Sequence, residues 1–171
     1  LAKIEARKLK LEPAPIHLSN FLEGVADITY LKAEEKGLQF VYDQSFQLPQ
    51  IITADEQRLR QVLLNLLTNA IKFTDKGTII FKVHPVLAAS DDAESTAIST
   101  GSLDKTHTLR FEVRDTGIGM TSEQLMSIFR PFEQVGDNEK KKQGTGLGLA
   151  ISSQIVDMMK SNIQVESSVD K

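Results

Sequence analysis

The chain has 171 residues, 40% hydrophobic content and a formal net charge of -3, which suits one globular domain with a proper core and argues against a sequence-independent nucleic-acid binder. The absence of cysteine excludes disulfides and thiolate metal sites and is typical of a reducing compartment. No apolar run approaches the roughly 18 residues of a membrane span, so a cytoplasmic location is expected, with a parent protein that is either soluble or membrane-anchored.

The N-terminal part of the chain is predicted to hold one long helix. Residues 1–14 are expected to form the end of an earlier helix and a linker, because the helical spacing of apolar residues stops at Pro13. An edge strand is expected at residues 16–18. Ser19 is the predicted N-cap of the long helix, which is predicted to end at Gly37.

Two short strands, predicted over residues 38–42 and 51–53, lead to the most informative helix, residues 55–73. Asp55 is its predicted N-cap, and a narrow polar stripe runs opposite a broad apolar face. The stripe comprises Arg58, Gln61, Asn65, Asn69 and Lys72. It is either the solvated face of an ordinary amphipathic helix or one wall of a magnesium–phosphate site, which amide oxygens and an ammonium group would suit.

A β-hairpin with a long connection is predicted next. Residues 78–86 and 108–114 are rich in β-formers and are expected to pair. Between them, residues 88–105 consist mostly of Ser, Thr, Ala and Asp without periodicity and are expected to be a mobile insertion. A capping box at Thr121–Gln124 predicts a short helix.

Two glycine motifs lie in the C-terminal half. Residues 144–149 precede the last predicted helix, whose free N–H groups form an anion site. They lack the leading strand of a dinucleotide fingerprint and the ending of a P-loop. Residues 115–120 leave a strand and form either a plain turn or a place where Asp115 accepts from an exocyclic amine. A last strand is predicted at residues 162–167.

Four motifs in this order resemble those of the ATP-binding catalytic domain of sensor histidine kinases. The run from Asn65 to Thr74 is similar to the family's N box, and residues 115–119 are similar to its G1 box. Residues 129–132 resemble the F box and residues 144–149 the G2 box. The resemblance implies an α/β (α+β) two-layer sandwich, the Bergerat fold, with three main helices on one face of a mixed sheet of about five strands.

The resemblance also implies a domain organisation and partners. Residues 1–14 would end a dimerisation helix, residues 15–171 would form the ATP-binding catalytic domain, and residues 120–144 would be a flexible ATP lid. The implied partners are the chain's own upstream dimerisation and phosphoacceptor domain and the receiver domain of a response regulator. The fragment is expected to be monomeric, its parent is expected to be a homodimer, and no nucleic-acid partner is expected.

For the site, the resemblance implies ATP and Mg²⁺. Asn69 and, one turn earlier, Asn65 would hold the magnesium, Lys72 would contact phosphate, and Asn65 and Lys72 are the implied catalytic residues. Phe73 would stack on adenine, and Asp115 would accept from the adenine amino group. The other implied ATP-binding residues are Gly117, Ile118, Gly119, Met120, Phe132, Gly144, Thr145, Gly146, Leu147 and Gly148.

Asn65 bears on which reaction follows. In the related gyrase and mismatch-repair ATPases the matching position carries a glutamate that activates water, and an amide cannot act as that base. We therefore expect slow hydrolysis and transfer to an acceptor that is already nucleophilic, a neutral imidazole. His17, His84 and His107 are not in the family's His-Glu context, so the acceptor is expected upstream of this chain.

Two departures from the family pattern keep a second function open. Gln134 stands where many members carry an arginine, a contact that Arg130 or the lysines at residues 140–142 would have to replace. Residues 159–161 stand where the family usually has glycines. The expected function is that of a histidine kinase catalytic domain, and the alternative is a nucleotide-binding regulatory (pseudokinase) module without transfer activity. A hydrolytic ATPase is disfavoured by Asn65.

Overall fold

The computed structural model describes residues 10–86, 108–133 and 145–169, in which helices are interspersed with strands. The elements are β1 (Ala14–His17), α1 (Leu18–Glu35), β2 (Gln39–Gln44), β3 (Ile51–Ala54), α2 (Glu56–Phe73), β4 (Thr78–Val86), β5 (Thr108–Asp115), α3 (Ser122–Leu125) and α4 (Gly148–Met158). The predicted α/β fold with three main helices is confirmed. The first nine residues, the predicted insertion at 88–105 and residues 134–144 of the predicted lid lie outside the described residues.

The predicted mixed sheet is also confirmed, and hydrogen bonding divides the five described strands between two sheets. In the larger sheet β2 pairs parallel with β4, and β4 pairs antiparallel with β5, which confirms the predicted hairpin. In the smaller sheet β1 and β3 pair antiparallel, with Ala14 opposite Ala54. Because β5 ends at Asp115 opposite Ile79, the loop at residues 115–120, here called the G1 loop, leaves the larger sheet beside the start of β4.

The core lies between the helices and one face of the larger sheet. Alternate residues of β4 point to it, so Ile79, Phe81 and Val83 are fully buried. The helices add the apolar faces that their periodicity predicts: Phe21, Leu22 and Val25 from α1, and Leu63, Leu67, Ala70 and Ile71 from α2. Burying such a side chain contributes about 1.5–3 kcal/mol, and this burial leaves the polar stripe of α2 turned away from the core.

Asp55 caps α2 as predicted. Its Oδ1 accepts from the N–H of Arg58 at 3.0 Å, and its Oδ2 accepts from the N–H of Glu12 at 2.9 Å. Burial alone would raise the pKa of the Asp55 carboxyl, but these hydrogen bonds and the Arg58 charge outweigh it and hold the pKa below its usual value. The cap therefore fixes both the start of α2 and the segment that precedes β1.

The start of α1 differs from the prediction. The helix begins at Leu18 after His17, and no side chain caps it, so the prediction of Ser19 as N-cap is wrong. The physical reason is the neighbouring strand pair, because the N–H of Leu18 donates to the carbonyl of Gln50 at 2.9 Å. The capping box of α3 is confirmed at Thr121 and Gln124. Within the described residues, no helix has the length and apolar character needed to cross a membrane.

Candidate functional site

The end of α2 is in backbone contact with the loop that follows β5. The carbonyl of Phe73 accepts from the N–H of Ile118 at 3.4 Å. A Cβ atom at Gly117 would lie 2.5 Å from the same carbonyl oxygen, so only glycine allows this approach. The N box and the G1 box, 41 residues apart at Thr74 and Asp115, therefore form one local structure.

Asp115 shapes the G1 loop from inside. Its Oδ1 accepts from the N–H of Gly117 at 2.9 Å and lies 3.5 Å from the hydroxyl of Thr74, a long contact. Thr74 is fully buried, so the carboxylate is placed against a fixed polar group. Asp115 also lines a cavity of about 250 Å³. The other lining residues are Val113, Arg114, Gly117, Gly119, Glu166, Ser167 and Ser168.

The C-terminal segment covers this loop, although it is not the strand that the sequence predicted. Residues 161–168 have no regular secondary structure, so the prediction of a strand at 162–167 is wrong. Instead of entering a strand ladder, the segment contacts the G1 loop through a side chain, because the Ser167 hydroxyl accepts from the N–H of Met120 at 2.9 Å. Gly119, at φ 66°, has room for no Cβ, since that atom would lie 2.1 Å from the Ser168 carbonyl oxygen.

The polar stripe of α2 meets the start of α4. The Asn65 Nδ2 donates to the Ser152 hydroxyl at 2.9 Å, and Ser152 is only 2% exposed. A Cβ atom at Gly148 would lie 2.4 Å from the Asn65 Oδ1. The Asn65 side chain of the N box therefore lies against the backbone of Gly148 in the G2 box, one turn before Asn69.

Lys72 and Phe73 are the last two residues of α2 and lie side by side. The Lys72 Nζ is 5.0 Å from the centroid of the Phe73 ring, a cation–π geometry. Both side chains are half-buried, as is that of Asn69. The last two turns of α2 thus carry an amide, an ammonium group and an aromatic ring.

The F box and the G2 box also meet. The N–H of Phe132 donates to the Gly146 carbonyl at 2.9 Å, and Gly146, at φ 69°, would place a Cβ 2.8 Å from the Phe132 backbone. The Phe132 side chain is 68% exposed. At the start of α4, Leu147 is the N-cap and provides no side-chain cap, so the first N–H groups of α4 are available to an anion. Gly144 lies outside the described residues.

The departure at residues 159–161 is accommodated without glycine. Lys160 takes φ 56°, the left-handed conformation that a glycine usually supplies after a helix. Its N–H donates to the Asp157 carbonyl and that of Ser161 to the Val156 carbonyl, both at 3.0 Å. The turn that ends α4 is therefore formed. Gln134 and the lysines at 140–142 lie outside the described residues.

Two contacts were not predicted from the sequence. Ser152 lies four residues after Gly148 and thus on the same face of α4, a spacing that marks it as a partner for whatever Gly148 contacts. Thr74 is the last residue of the N box and directly follows the amphipathic helix as its C-cap. Among the described residues there is no cluster of three His, Asp or Glu side chains that would hold a metal ion. The oxygen donors of the stripe are the side-chain amides of Gln61, Asn65 and Asn69.

Comparison with known proteins agrees with this geometry. A family described as histidine kinase-, DNA gyrase B- and HSP90-like ATPase matches residues 54–171. The aerobic respiration control sensor protein ArcB of Escherichia coli is 34% identical over 99% of the chain, and sensor protein GacS of Pseudomonas syringae is 38% identical over 97%. The chain covers only 20% and 17% of their lengths.

Solved structures show the same fold. Full-length ShkA in complex with AMPPNP has a TM-score of 0.67 and 34% identity, with 93% of this chain and 29% of that chain covered. The nucleotide-free catalytic domain of the histidine kinase ThkA has a TM-score of 0.62 and 24% identity, with 86% and 83% covered. The first of these was determined with an ATP analogue.

Proposed function

Since the chain belongs to the histidine kinase-, DNA gyrase B- and HSP90-like ATPase family, we propose that it binds Mg-ATP and transfers the γ-phosphate to a histidine on an upstream dimerisation domain. The observation that carries the proposal is that the G1 box and the G2 box both meet the N box on α2. Asn65 contacts Gly148 and Ser152 on α4, while Phe73 contacts Gly117 and Ile118. The hybrid signal transduction histidine kinase B of Dictyostelium discoideum, which is 37% identical over 97% of this chain, supports the kinase branch of the family, together with the sensor proteins ArcB and GacS.

On the adenine side, Asp115 would accept from the exocyclic amino group of the base. One of its oxygens already accepts from Gly117, so the second is the oxygen that would meet the ligand. Gly117 and Gly119 would shape the base pocket, because their lack of a Cβ lets the loop lie against the carbonyl oxygens of Phe73 and Ser168. Ile118 and Met120 would line the base, and Phe73 would stack on it.

On the phosphate side, Lys72 would contact the phosphates, and the N-terminus of α4 with Thr145, Gly146, Leu147 and Gly148 would hold them. Asn69 and Asn65 would supply oxygen ligands to magnesium, which favours oxygen donors together with phosphates and water. The donor set fits, since Asn65 and Asn69 lie one turn apart on the same face of α2 and both side chains are half-buried. When bound, magnesium would neutralise charge on the transferring group.

For the transfer itself, a neutral imidazole nitrogen of the acceptor histidine attacks the γ-phosphorus, the bond to the bridging oxygen breaks, and ADP leaves. Asn65 cannot activate water as a base, so hydrolysis is slow and the phosphoryl group is transferred to the imidazole instead. The partners would be the upstream dimerisation domain and a receiver domain. The parent would be a cytoplasmic or membrane-anchored homodimer.

Labelled ATP separates the candidate activities. The chain is incubated with γ-labelled ATP and a separately supplied dimerisation domain from a homologous histidine kinase. Acid-labile label on the dimerisation domain supports the kinase, and rapid phosphate release supports a hydrolase. Tight ATP binding with neither outcome supports the regulatory module. The sequence arguments for that module were Gln134 and the missing glycines at residues 159–161, and the formed turn at Lys160 removes the second.

Magnesium ligation is tested separately by Asn69→Ala. Wild-type affinity for ATP, measured by calorimetry, is expected to rise with magnesium, and the variant is expected to lose that dependence because its ligand is gone. Asn20→Ala, at an exposed position of α1, serves as the control and should keep it. A magnesium dependence that survives in Asn69→Ala would place the metal ligand elsewhere.

A further inference from the structure

Lys36 joins the end of α1 to the end of α2 through its ammonium group. Its Nζ donates to the carbonyl oxygens of Ile71 at 2.7 Å, Lys72 at 3.0 Å and Thr74 at 2.7 Å, and lies 3.7 Å from Oδ1 of Asp75. An ammonium group has three donors, so the three carbonyls account for all of them. Lys36 precedes the part of the chain that the ATPase family matches.

The end of α2 needs such a partner. The last four carbonyls of a helix accept no hydrogen bond from within the helix. A turn with a left-handed glycine often supplies the missing donors. Here the C-cap Thr74 is extended, with φ −105° and ψ 118°, and the chain leaves the helix at once. The carbonyl of Phe73 is taken by Ile118, and those of Ile71 and Lys72 are taken by Lys36.

The backbone that carries Lys36 is itself held in a tight turn. Gly37 takes φ 71°, its N–H donates to the Glu34 carbonyl at 2.9 Å, and the N–H of Leu38 donates to the Ala33 carbonyl at 2.9 Å. This pair of hydrogen bonds is a Schellman motif. It fixes the point from which the Lys36 side chain reaches α2, and that side chain is 34% exposed.

We propose that Lys36 is a positioning residue of the nucleotide site. It holds the last turn of α2 in shape, so that Lys72 and Phe73 keep the orientation in which they meet ATP, and it touches neither substrate nor metal itself. The positive charge of Lys36 at the C-terminus of α2 also stabilises this last turn through the helix dipole. This inference rests on the proposed function for its effect on ATP, but the capping contact stands on geometry alone.

The test compares Lys36→Met with Lys36→Arg and with Lys82→Met. Methionine keeps the length of the side chain without donors, and arginine keeps the charge and the donors. Lys82 pairs with Asp43 at 3.2 Å on the larger sheet, so its loss removes an ion pair of similar exposure away from α2. Calorimetry at a temperature where all variants are folded should show Mg-ATP affinity about tenfold weaker for Lys36→Met and within about twofold of wild type for the other two.

A purely structural role predicts a different result, a lower melting temperature with unchanged affinity in the folded protein. Equal affinity of Lys36→Met and wild type would overturn the inference. If Lys36→Met does not fold, Lys36→Gln replaces it, with weaker binding than wild type again expected and equal binding again decisive.

Amide hydrogen exchange keeps the inference separate from the proposed function. Lys36→Met should raise exchange in residues 71–75 and leave the start of α2 unchanged. If wild type binds no Mg-ATP, the proposed function fails, and the exchange result still judges the cap. Unchanged exchange in residues 71–75 would overturn the cap itself.

Discussion

The two sides of the proposed ATP site are built differently. On the adenine side, the G1 loop is fixed by backbone contacts: Ile118 to Phe73, and Thr116 to Thr78, whose carbonyl accepts from the Thr116 N–H at 3.2 Å. On the phosphate side, α4 is joined to α2 by side chains, through the hydrogen bond between Asn65 and Ser152.

This difference indicates which side can adjust. The backbone of Phe73 and Thr78 cannot move without disturbing α2 and β4, which carry the core, whereas an amide side chain can rotate. We infer that the adenine side is formed before the nucleotide arrives and that the phosphate side rearranges around it. Such a division would suit the proposed transfer, in which a triphosphate binds and a diphosphate leaves.

Alanine at two glycines tests this comparison most directly. A Cβ at Gly117 meets the Phe73 carbonyl oxygen at 2.5 Å, and a Cβ at Gly148 meets the Asn65 side chain at 2.4 Å. Because backbone must yield in the first case and a side chain in the second, Gly117→Ala should weaken ATP binding on the order of a hundredfold and Gly148→Ala by less than about tenfold. Calorimetry with Mg-ATP measures both.

Gly24→Ala is the control for this pair. Gly24 lies inside α1, and a Cβ there meets only the end of the Arg60 side chain at 3.4 Å. Alanine should stabilise the helix by about 0.5–1 kcal/mol and leave ATP affinity unchanged. Equal losses of affinity in Gly117→Ala and Gly148→Ala would remove the distinction between the two sides.

The next effect in size is expected from Asp115→Asn. The amide keeps an oxygen for the N–H of Gly117, so the loop should keep its shape, but it presents a donor where the adenine amino group also donates. Losing a charge-assisted contact of about 1.5–3 kcal/mol should weaken ATP binding about ten- to a hundredfold. Asp43→Asn, on the sheet away from the loop, should leave affinity unchanged. An unaltered dissociation constant in Asp115→Asn would contradict the adenine assignment.

How far the sequence predicts this molecule depends on how local each interaction is. The cap at Asp55, the capping box at Thr121 and the hairpin of β4 and β5 follow from residues within a few positions or from strand patterns, and all are confirmed. The N-cap at Ser19 was mispredicted because the start of α1 is set by Gln50, a residue of a distant segment.

The same reason explains what the sequence could not predict in the site. Asn65 and Ser152 are 87 residues apart, and Lys36 and Thr74 are 38 apart. The glycine motifs indicate that a ligand site exists, and the resemblance assigns roles to its residues. Only the packing of α1 and α4 against α2 shows which side chains hold those residues in place.

A smaller effect is expected from Ser152→Ala, which removes the hydroxyl that receives the Asn65 amide at 2.9 Å. The net value of such a bond is about 0.5–1.5 kcal/mol, so Mg-ATP affinity should fall about two- to tenfold. Ser153→Ala, the adjacent position of α4, is the matched control. If the phosphate side adjusts as proposed, Ser152→Thr, which restores a hydroxyl, should recover most of the affinity. No recovery would indicate that packing, not the hydrogen bond, matters at this position.

The smallest effect on ATP is expected from Asp55, at the far end of α2. An 18-residue helix is about 27 Å long, so Asp55→Ala should cost about 0.5–2 kcal/mol of stability and lower the melting temperature by a few degrees without changing ATP affinity. Asp55→Asn keeps a capping oxygen and should lose less. A loss of affinity in Asp55→Ala that matches Gly117→Ala would mean that ATP binding follows global stability instead of local geometry.

The pH dependence of Asp55 provides an independent check. Its pKa is lowered in the folded chain, so its contribution to stability is complete above the unfolded pKa of about 3.9 and is lost as pH falls through the folded value. The difference in free energy of unfolding between wild type and Asp55→Asn should therefore shrink below about pH 4. Denaturant titrations at neutral and acid pH measure it. A difference that stays constant would show that the cap works as well protonated, and that the charge on Asp55 adds nothing to the hydrogen bonds from Glu12 and Arg58.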